Sequence, residues 1–283
     1  MKKGSILSSR QLITVDKSQI IERNTSIGGT AGIFTIGSGS SLCYVKLSRI
    51  KGYHGGYTNK EPVCEVLCSR LGALLGLESL TYQLVDVIIR DKSDETRTIG
   101  CLSEDFAKGR EVLSAVDLIT GAPNDKSYLQ YIQEQISNKE YVKLCQMFIF
   151  DFLIGNRDRH GTNILFCVNE NQSYSLSPIF DCENSLFNAW VCSPKWTKDI
   201  ILMDQLINSF LTSQHMNLML RDISGVCLHS PSEVSFPRLF YGLQYFINPE
   251  QVIGTQKYIK VRWKHLVSNG YIDKYPKFVE VKL

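Results

Sequence analysis

Asp151-Phe152-Leu153-Ile154-Gly155-Asn156-Arg157-Asp158-Arg159-His160-Gly161-Thr162-Asn163-Ile164-Leu165-Phe166 is the stretch on which the reading of this chain turns. Leading into it, residues 139–154 carry apolar side chains almost all round, among them Leu144, Met147, Phe148, Ile149, Phe150, Phe152 and Leu153. That pattern puts a helix in the middle of a bundle rather than on its surface. The helix ends at a glycine, a polar loop follows, and an apolar strand begins directly after Asn163. A second strand-like run, residues 174–180, is joined to the first by the polar Asn169-Glu170-Asn171-Gln172-Ser173 and closes on Pro178-Ile179-Phe180-Asp181. Adjacent strands leading from Asn163 and into Asp181 bring an amide oxygen and a carboxylate close together.

Mg²⁺ takes a few hard oxygen ligands from a protein and fills its other positions with water and phosphate oxygens. Asp158, five residues before Asn163, stands in the loop where a hydroxyl nucleophile could approach. A carboxylate to accept the hydroxyl proton, with an Asn and an Asp to hold metal, is what phosphoryl transfer asks of a protein.

Leu153-Ile154-Gly155-Asn156-Arg157-Asp158-Arg159-His160 with Asn163 resembles the catalytic loop of HipA-like serine/threonine kinases, and Pro178-Ile179-Phe180-Asp181 is similar to that family's metal-binding strand. The resemblance implies an α+β, two-lobed protein-kinase-like fold with a β-rich N-lobe and a mainly helical C-lobe. It implies ATP and Mg²⁺ as cofactors, Asp158 as base, and Asn163 and Asp181 as magnesium ligands.

Upstream residues fit that expectation. Tyr44-Val45-Lys46-Leu47 sets a lysine inside an apolar strand, where a lone charge is costly unless paired. Kinases use such a lysine on the α/β-phosphates and pair it with a Glu on the following helix. Glu65 is preferred over Glu61 as that partner, because it shares a face with Leu71 and Leu75. Thr25-Ser26-Ile27-Gly28-Gly29-Thr30-Ala31-Gly32 is glycine-rich, and backbone N–H groups in such a loop can cradle phosphate. Read alone it is equally a hairpin turn. It resembles the HipA-like phosphate loop, so Ser26 is the implied autophosphorylation site and Gly28 and Gly29 the implied phosphate contacts. The charged residues that follow the loop in that family are replaced here by Ala31, Gly32 and Ile33. Leu102-Ser103-Glu104-Asp105-Phe106 stands, by position, where a kinase hinge would bind adenine, with Glu104 and Phe106 as the implied backbone contacts; an ordinary turn between the lobes is equally compatible. His160 reads as a structural histidine bonding the loop backbone; Arg157 and Arg159 read either as phosphate contacts or as partners of nearby acids.

The rest of the sequence sets bounds. Short apolar runs at 11–15, 32–36 and 42–47 read as strands, residues 58–77 as a helix, and 82–90 with 98–102 as a hairpin around Asp91-Lys92-Ser93-Asp94-Glu95. Helical patterns dominate after residue 199. The division expected is an N-lobe over 1–107 and a helical C-lobe over 108–283. Lys plus Arg number 31 against 28 Asp plus Glu, a net charge of +3 that is too mild to imply a nucleic-acid partner. Nine scattered cysteines without a zinc-ligand pattern read as reduced thiols in a cytoplasmic compartment, with delivery into a host cell also compatible. No apolar run is long enough to span a membrane.

The expected substrate is a protein bearing serine or threonine, and an antitoxin or regulatory protein is a compatible partner. Ser26 stands close to the start of the chain, so the N-terminal module of full-length HipA is expected to be dispensable or to come from a separate protein. Two alternatives stay open. The loop from Gly155 to Asn163 also resembles that of phosphoinositide kinases, although no basic cluster follows Asp181. A pseudokinase acting by contact within a toxin–antitoxin or effector system is the other.

Overall fold

A computed structural model of the chain describes residues 10–24, 30–49, 58–122, 127–189, 192–210, 215–223 and 225–281. Strand β1 (Leu12–Asp16) buries Ile13 and Val15 and exposes the residues between them, the period of two that a pleated strand imposes. It is followed by β2 (Ile21–Asn24), β3 (Thr30–Ile36), β4 (Cys43–Leu47), helix α1 (Glu61–Leu74), β5 (Gln83–Asp91) and β6 (Asp94–Glu104). These six strands form one sheet in the order β1-β5-β6-β4-β3-β2, antiparallel throughout except for the β1–β5 pair. Val85, Val87 and Ile89 of β5 join Phe34, Val45 and Leu47 in a small core on one face of the sheet. Leu84 and Cys101 face the other way, toward Val63, Val66, Leu67 and Leu71 of α1 and the main core. The helix therefore lies sandwiched between the sheet and the rest of the molecule, and its carboxylates are carried inward.

The remainder is mainly helical. After β7 (Val112–Ser114) come α2 (Ala115–Leu118), α3 (Tyr128–Gln135) and α4 (Asn138–Ile154). Each helix starts at a serine whose hydroxyl accepts a first-turn N–H: Ser114 from Asp117, Ser127 from Gln130 and Ser137 from Glu140. The apolar girdle of α4 is buried, packed in part against the long helix Pro249–Ser268 through Tyr258, Ile259 and Trp263. Gly155 ends α4 with φ +66°, and a Cβ there would run into the Tyr258 hydroxyl. Only glycine meets both demands. The chain then enters β8 (Asp158–Arg159), a 3-10 turn at Gly161–Asn163, β9 (Leu165–Val168) and β10 (Tyr174–Leu176). β9 lies between β10 and β7, and β8 pairs in parallel with β11 (Asn208–Ser209).

The molecule is thus an α+β fold with a β-rich N-lobe and a mainly helical C-lobe. Several elements differ from the sequence expectation. The strand expected to run to Phe180 stops at Leu176, because Pro178 has no N–H to continue the ladder. Ile179 instead bridges to Ser79, donating to the Glu78 carbonyl at 2.7 Å while its own carbonyl accepts from Leu80 N–H at 2.9 Å. Asp181 is therefore placed by the connection between α1 and β5 as well as by the C-lobe. The helix expected over 58–77 begins at Glu61 with Pro62 in its first turn, and the tail adds a parallel strand pair, residues 233–235 with 277–279. All nine thiols are free. Among the described residues no helix is long and apolar enough to cross a membrane.

Candidate active site

Arg159 and Asp151 organise the loop. Asp151 is fully buried at the end of α4, and Arg159, itself 2% exposed, forks onto both of its oxygens, Nε to Oδ2 at 2.8 Å and Nη2 to Oδ1 at 3.1 Å. The third guanidinium nitrogen donates to the carbonyls of Asn163 at 3.0 Å and Phe180 at 2.7 Å. One planar cation thus ties the end of the loop to the residue before Asp181, a span that a lysine's single ammonium could not match. Of the two readings left open for Arg159, the structure shows pairing with an acid. Asn156 closes the loop by donating to Asp151 Oδ1 and accepting from the Asp158 N–H. The Asn163 amide donates to the Asp158 carbonyl at 2.9 Å.

Across the cleft, Lys46 on β4 projects its ammonium among three carboxylates. Glu65 Oε1 lies at 3.0 Å and Glu183 Oε2 at 2.8 Å, and Asp181 Oδ1 completes the set at hydrogen-bond distance. The second oxygen of Glu65 accepts from the Cys182 N–H at 3.0 Å, so α1 grips the backbone next to Asp181. Glu61, one turn earlier, is engaged instead by Ser48, Thr58 and Arg49. Asp181 adopts φ +56°, a left-handed conformation that Asp tolerates better than most side chains.

The charges respond accordingly. Burial pulls the Lys46 ammonium down, but Asp181, Glu183 and Glu65 outweigh it and hold its pKa well above the lysine value. Burial pushes the Glu65 carboxyl up, with Lys46 pulling the other way and the neighbouring carboxylates adding to the rise. Asp181 is also penalised by burial, yet Lys46, Arg159 and His160 together bring it below the ordinary Asp value.

Both halves open onto one cleft of about 710 Å³, lined by Lys46, Asp158, Asn163 and Asp181, and also by Glu104 and Phe106. Phe106 stacks on Phe180 with ring centroids 5.9 Å apart. The Asp105 N–H donates to the Leu42 carbonyl and its side chain accepts from Ala107 and Lys108, which shapes the turn between the lobes. Glu65 lies deeper, beneath Lys46. Ser26, Gly28 and Gly29 lie outside the described residues; Gly32 and Ile33, just beyond them, line the cleft.

The sequence reading of His160 is corrected. Its Nδ1 meets the Thr162 hydroxyl at 2.7 Å and its Nε2 stands 3.9 Å from Asp158 Oδ1, so it faces the cleft rather than bonding the loop backbone. Four polar residues near the site escaped the sequence reading. Glu183 and Asn184 stand two and three residues after Asp181, and that closeness was the available signal. Arg49, three residues after Lys46, and Asn208, fifty residues after Asp158, reach the site only through the fold.

No family model matches the chain. No curated protein matches it either. Solved structures do: a proinflammatory kinase of Helicobacter pylori, CtkA, is 24% identical over 63% of this chain and 64% of that one, with a TM-score of 0.44. The HipA–HipB toxin–antitoxin complex with operator DNA from Shewanella oneidensis MR-1 is 14% identical over 87% of this chain and 65% of that one, with a TM-score of 0.49. A MAP kinase of Leishmania major follows at 10% identity and a TM-score of 0.25. The chain covers just under two thirds of the length of the first two. With these three TM-scores below 0.5, residue roles rest on the chain's own geometry.

That geometry suits a hard cation. The ligand oxygens of Glu65, Asp181 and Glu183 lie within 4.8 Å of one another, and Lys46, joined by Arg49 at Glu183 alone, leaves the carboxylates in excess. Glu183 Oε2 has Lys46 as an ionic neighbour but no well-directed hydrogen bond, although it is buried. Carboxylate and amide oxygens are the donors Mg²⁺ prefers.

Proposed function

We propose that this chain is an Mg-ATP-dependent serine/threonine protein kinase of the HipA-like type. The observation that carries the reading is Lys46, ion-paired to Glu65 and Asp181 in the cleft that Asp158 and Asn163 also line. Lys46 holds the nucleotide phosphates and Glu65 keeps it in place. The Asp181 carboxylate and the Asn163 amide oxygen are the metal ligands, with the Asn163 NH₂ group already turned to the Asp158 carbonyl. Mg²⁺, when bound, neutralises charge on the phosphates. Asp158 accepts the proton of a serine or threonine hydroxyl as its oxygen attacks the γ-phosphorus and ADP departs. The backbone of residues 104–106 borders the adenine, and Ser26 is the site of self-phosphorylation. An antitoxin or other regulatory protein is the proposed partner.

The test is incubation with Mg²⁺ and γ-labelled ATP, alone, with a generic protein substrate and with phosphoinositide vesicles. Label on serine or threonine is expected in the wild type. It should fall by about 10²–10⁴-fold in Asp158→Asn and be lost in Asp181→Asn. Label on lipid alone would move the assignment to a lipid kinase. No label, together with no nucleotide-induced rise in melting temperature, would overturn it.

A further inference from the structure

Both oxygens of Asp158 accept hydrogen bonds from side-chain amides: Oδ2 from Asn184 at 3.0 Å and Oδ1 from Asn208 at 2.8 Å. The Asn184 carbonyl oxygen in turn accepts from Arg49 Nη2 at 2.7 Å. A guanidinium can only donate and a carboxylate can only accept, so Asn184 has a single orientation that serves both. Arg49 and Asn184 are 5% and 4% exposed, which keeps water from substituting for either contact. The same Arg49 nitrogen donates to Glu183 Oε1 at 3.2 Å, and the other oxygen of Glu183 is the one beside Lys46.

We infer that Arg49 and Asn184 form a positioning relay that sets the Asp158 carboxylate according to the closure of the two lobes. The inference rests on the kinase reading above. Arg49 follows β4 in the N-lobe, whereas Asn184, Asn208 and Asp158 belong to the C-lobe. With the lobes together, Arg49 locks the Asn184 amide and its NH₂ group holds the base in one rotamer. With the lobes apart, Asn184 loses the partner that fixes its orientation, and its amide is free to turn away from Asp158. Proton acceptance is thereby tied to the same strand that presents Lys46 to the nucleotide. Neither Arg49 nor Asn184 touches the reacting atoms; both act through Asp158.

The deciding variant is Asn184→Asp, which keeps the size and an acceptor for Arg49 but, ionised beside that guanidinium, has no hydrogen to donate to Asp158 and faces it with a like charge. In the labelled-ATP assay its kcat should fall by about 10²-fold, the scale of a misplaced reacting group, while its KM for ATP stays near the wild-type value. Arg49→Gln should lower kcat as well, and the double variant should be no slower than Asn184→Asp alone, because both changes break one relay. Should Asn184→Asp fail to fold, Arg49→Gln decides, with about a 10-fold loss of kcat expected at an unchanged KM for ATP, and a wild-type kcat there would overturn the relay. Wild-type kcat in Asn184→Asp, or multiplying losses in the double variant, would overturn the relay. Absence of phosphoryl transfer in the wild type would instead bring down the kinase reading, and the relay with it.

Discussion

The Arg159 cluster and the Lys46 cluster are made of the same kinds of groups and differ in balance. Around Arg159, one guanidinium meets one carboxylate and two backbone carbonyls, with the Arg159 and Asp151 side chains closed off from water. Around Lys46, one ammonium meets three carboxylates, and the Lys46 and Asp181 side chains remain 21% and 27% exposed toward the cleft. A balanced, sealed cluster holds geometry and has nothing further to bind. An unbalanced, open one carries surplus negative charge that a cation can neutralise, so the first reads as scaffold and the second as site.

The comparison is most sharply broken at the scaffold. Arg159→Leu leaves Asp151 as an uncompensated buried charge and strips the Asn163 and Phe180 carbonyls of their donor. A loss of about 3–5 kcal/mol in denaturant unfolding is expected. Arg159→Lys should recover only part of it, since an ammonium cannot fork across a carboxylate and reach two carbonyls as well. A loss under about 1 kcal/mol, the value of an ordinary surface pair, would show that the staple holds nothing.

Lys46→Met comes next. Because this cluster is partly open to water, about 2–3 kcal/mol is expected at pH 7 rather than the full buried-pair cost. In the wild type, Lys46 has a raised pKa, so its stabilisation is present at and below ordinary lysine values and is lost only as pH rises through the higher folded value. Asp181 has a lowered one, so its contribution is present above the ordinary Asp value and is lost as pH falls through the folded value. Without the ammonium, Glu65 and Asp181 lose the charge that draws them down while still facing each other and Glu183, and their folded pKa values rise above those of the unfolded chain. The penalty then sits above about pH 4 and is relieved as pH falls. Unfolding at pH 7 and pH 5 should therefore show the gap to wild type narrowing at the lower pH. A gap that does not narrow would mean the carboxylates do not feel one another.

Which residues share the cleft was legible where local pattern and chemistry coincide. Asp158 and Asn163 sit in one loop between a buried helix and a strand, Asp181 ends the next apolar run, and Lys46 interrupts a strand that should not hold a lone charge. Glu61 and Glu65, four residues apart, share one buried face of α1, and what separates them is their place along the helix: Glu65 meets Lys46, Glu61 meets Ser48 and Arg49. What escaped depends on the fold. Arg49 meets Asn184 across 135 positions, and Asn208 reaches Asp158 through a two-residue parallel pairing that leaves no alternation to detect. The parallel β1–β5 pair was invisible for the same reason, since burial alternates identically whichever way a neighbour runs. Pro178 did carry a readable signal: a residue without an N–H marks where a ladder stops and where Ile179 turns to Ser79.

The finest test of the contrast is Glu183→Gln. The change removes one negative charge beside Lys46, which relieves repulsion from Glu65 and Asp181, and it weakens the contact to Arg49, which retains a neutral oxygen to donate to. These effects oppose each other, so stability should stay within about 1 kcal/mol of wild type. The response to Mg²⁺ should not stay constant. A cation that binds only the folded state raises the melting temperature in proportion to its affinity, and a site with one carboxylate fewer binds a hard cation more weakly. The rise produced by Mg²⁺ without nucleotide is therefore expected to shrink in Glu183→Gln and to vanish in Asp181→Asn. An undiminished rise in the first with its loss in the second would confine the cation to Asp181 and the loop amide, and would leave Glu183 the partner of the two N-lobe cations alone.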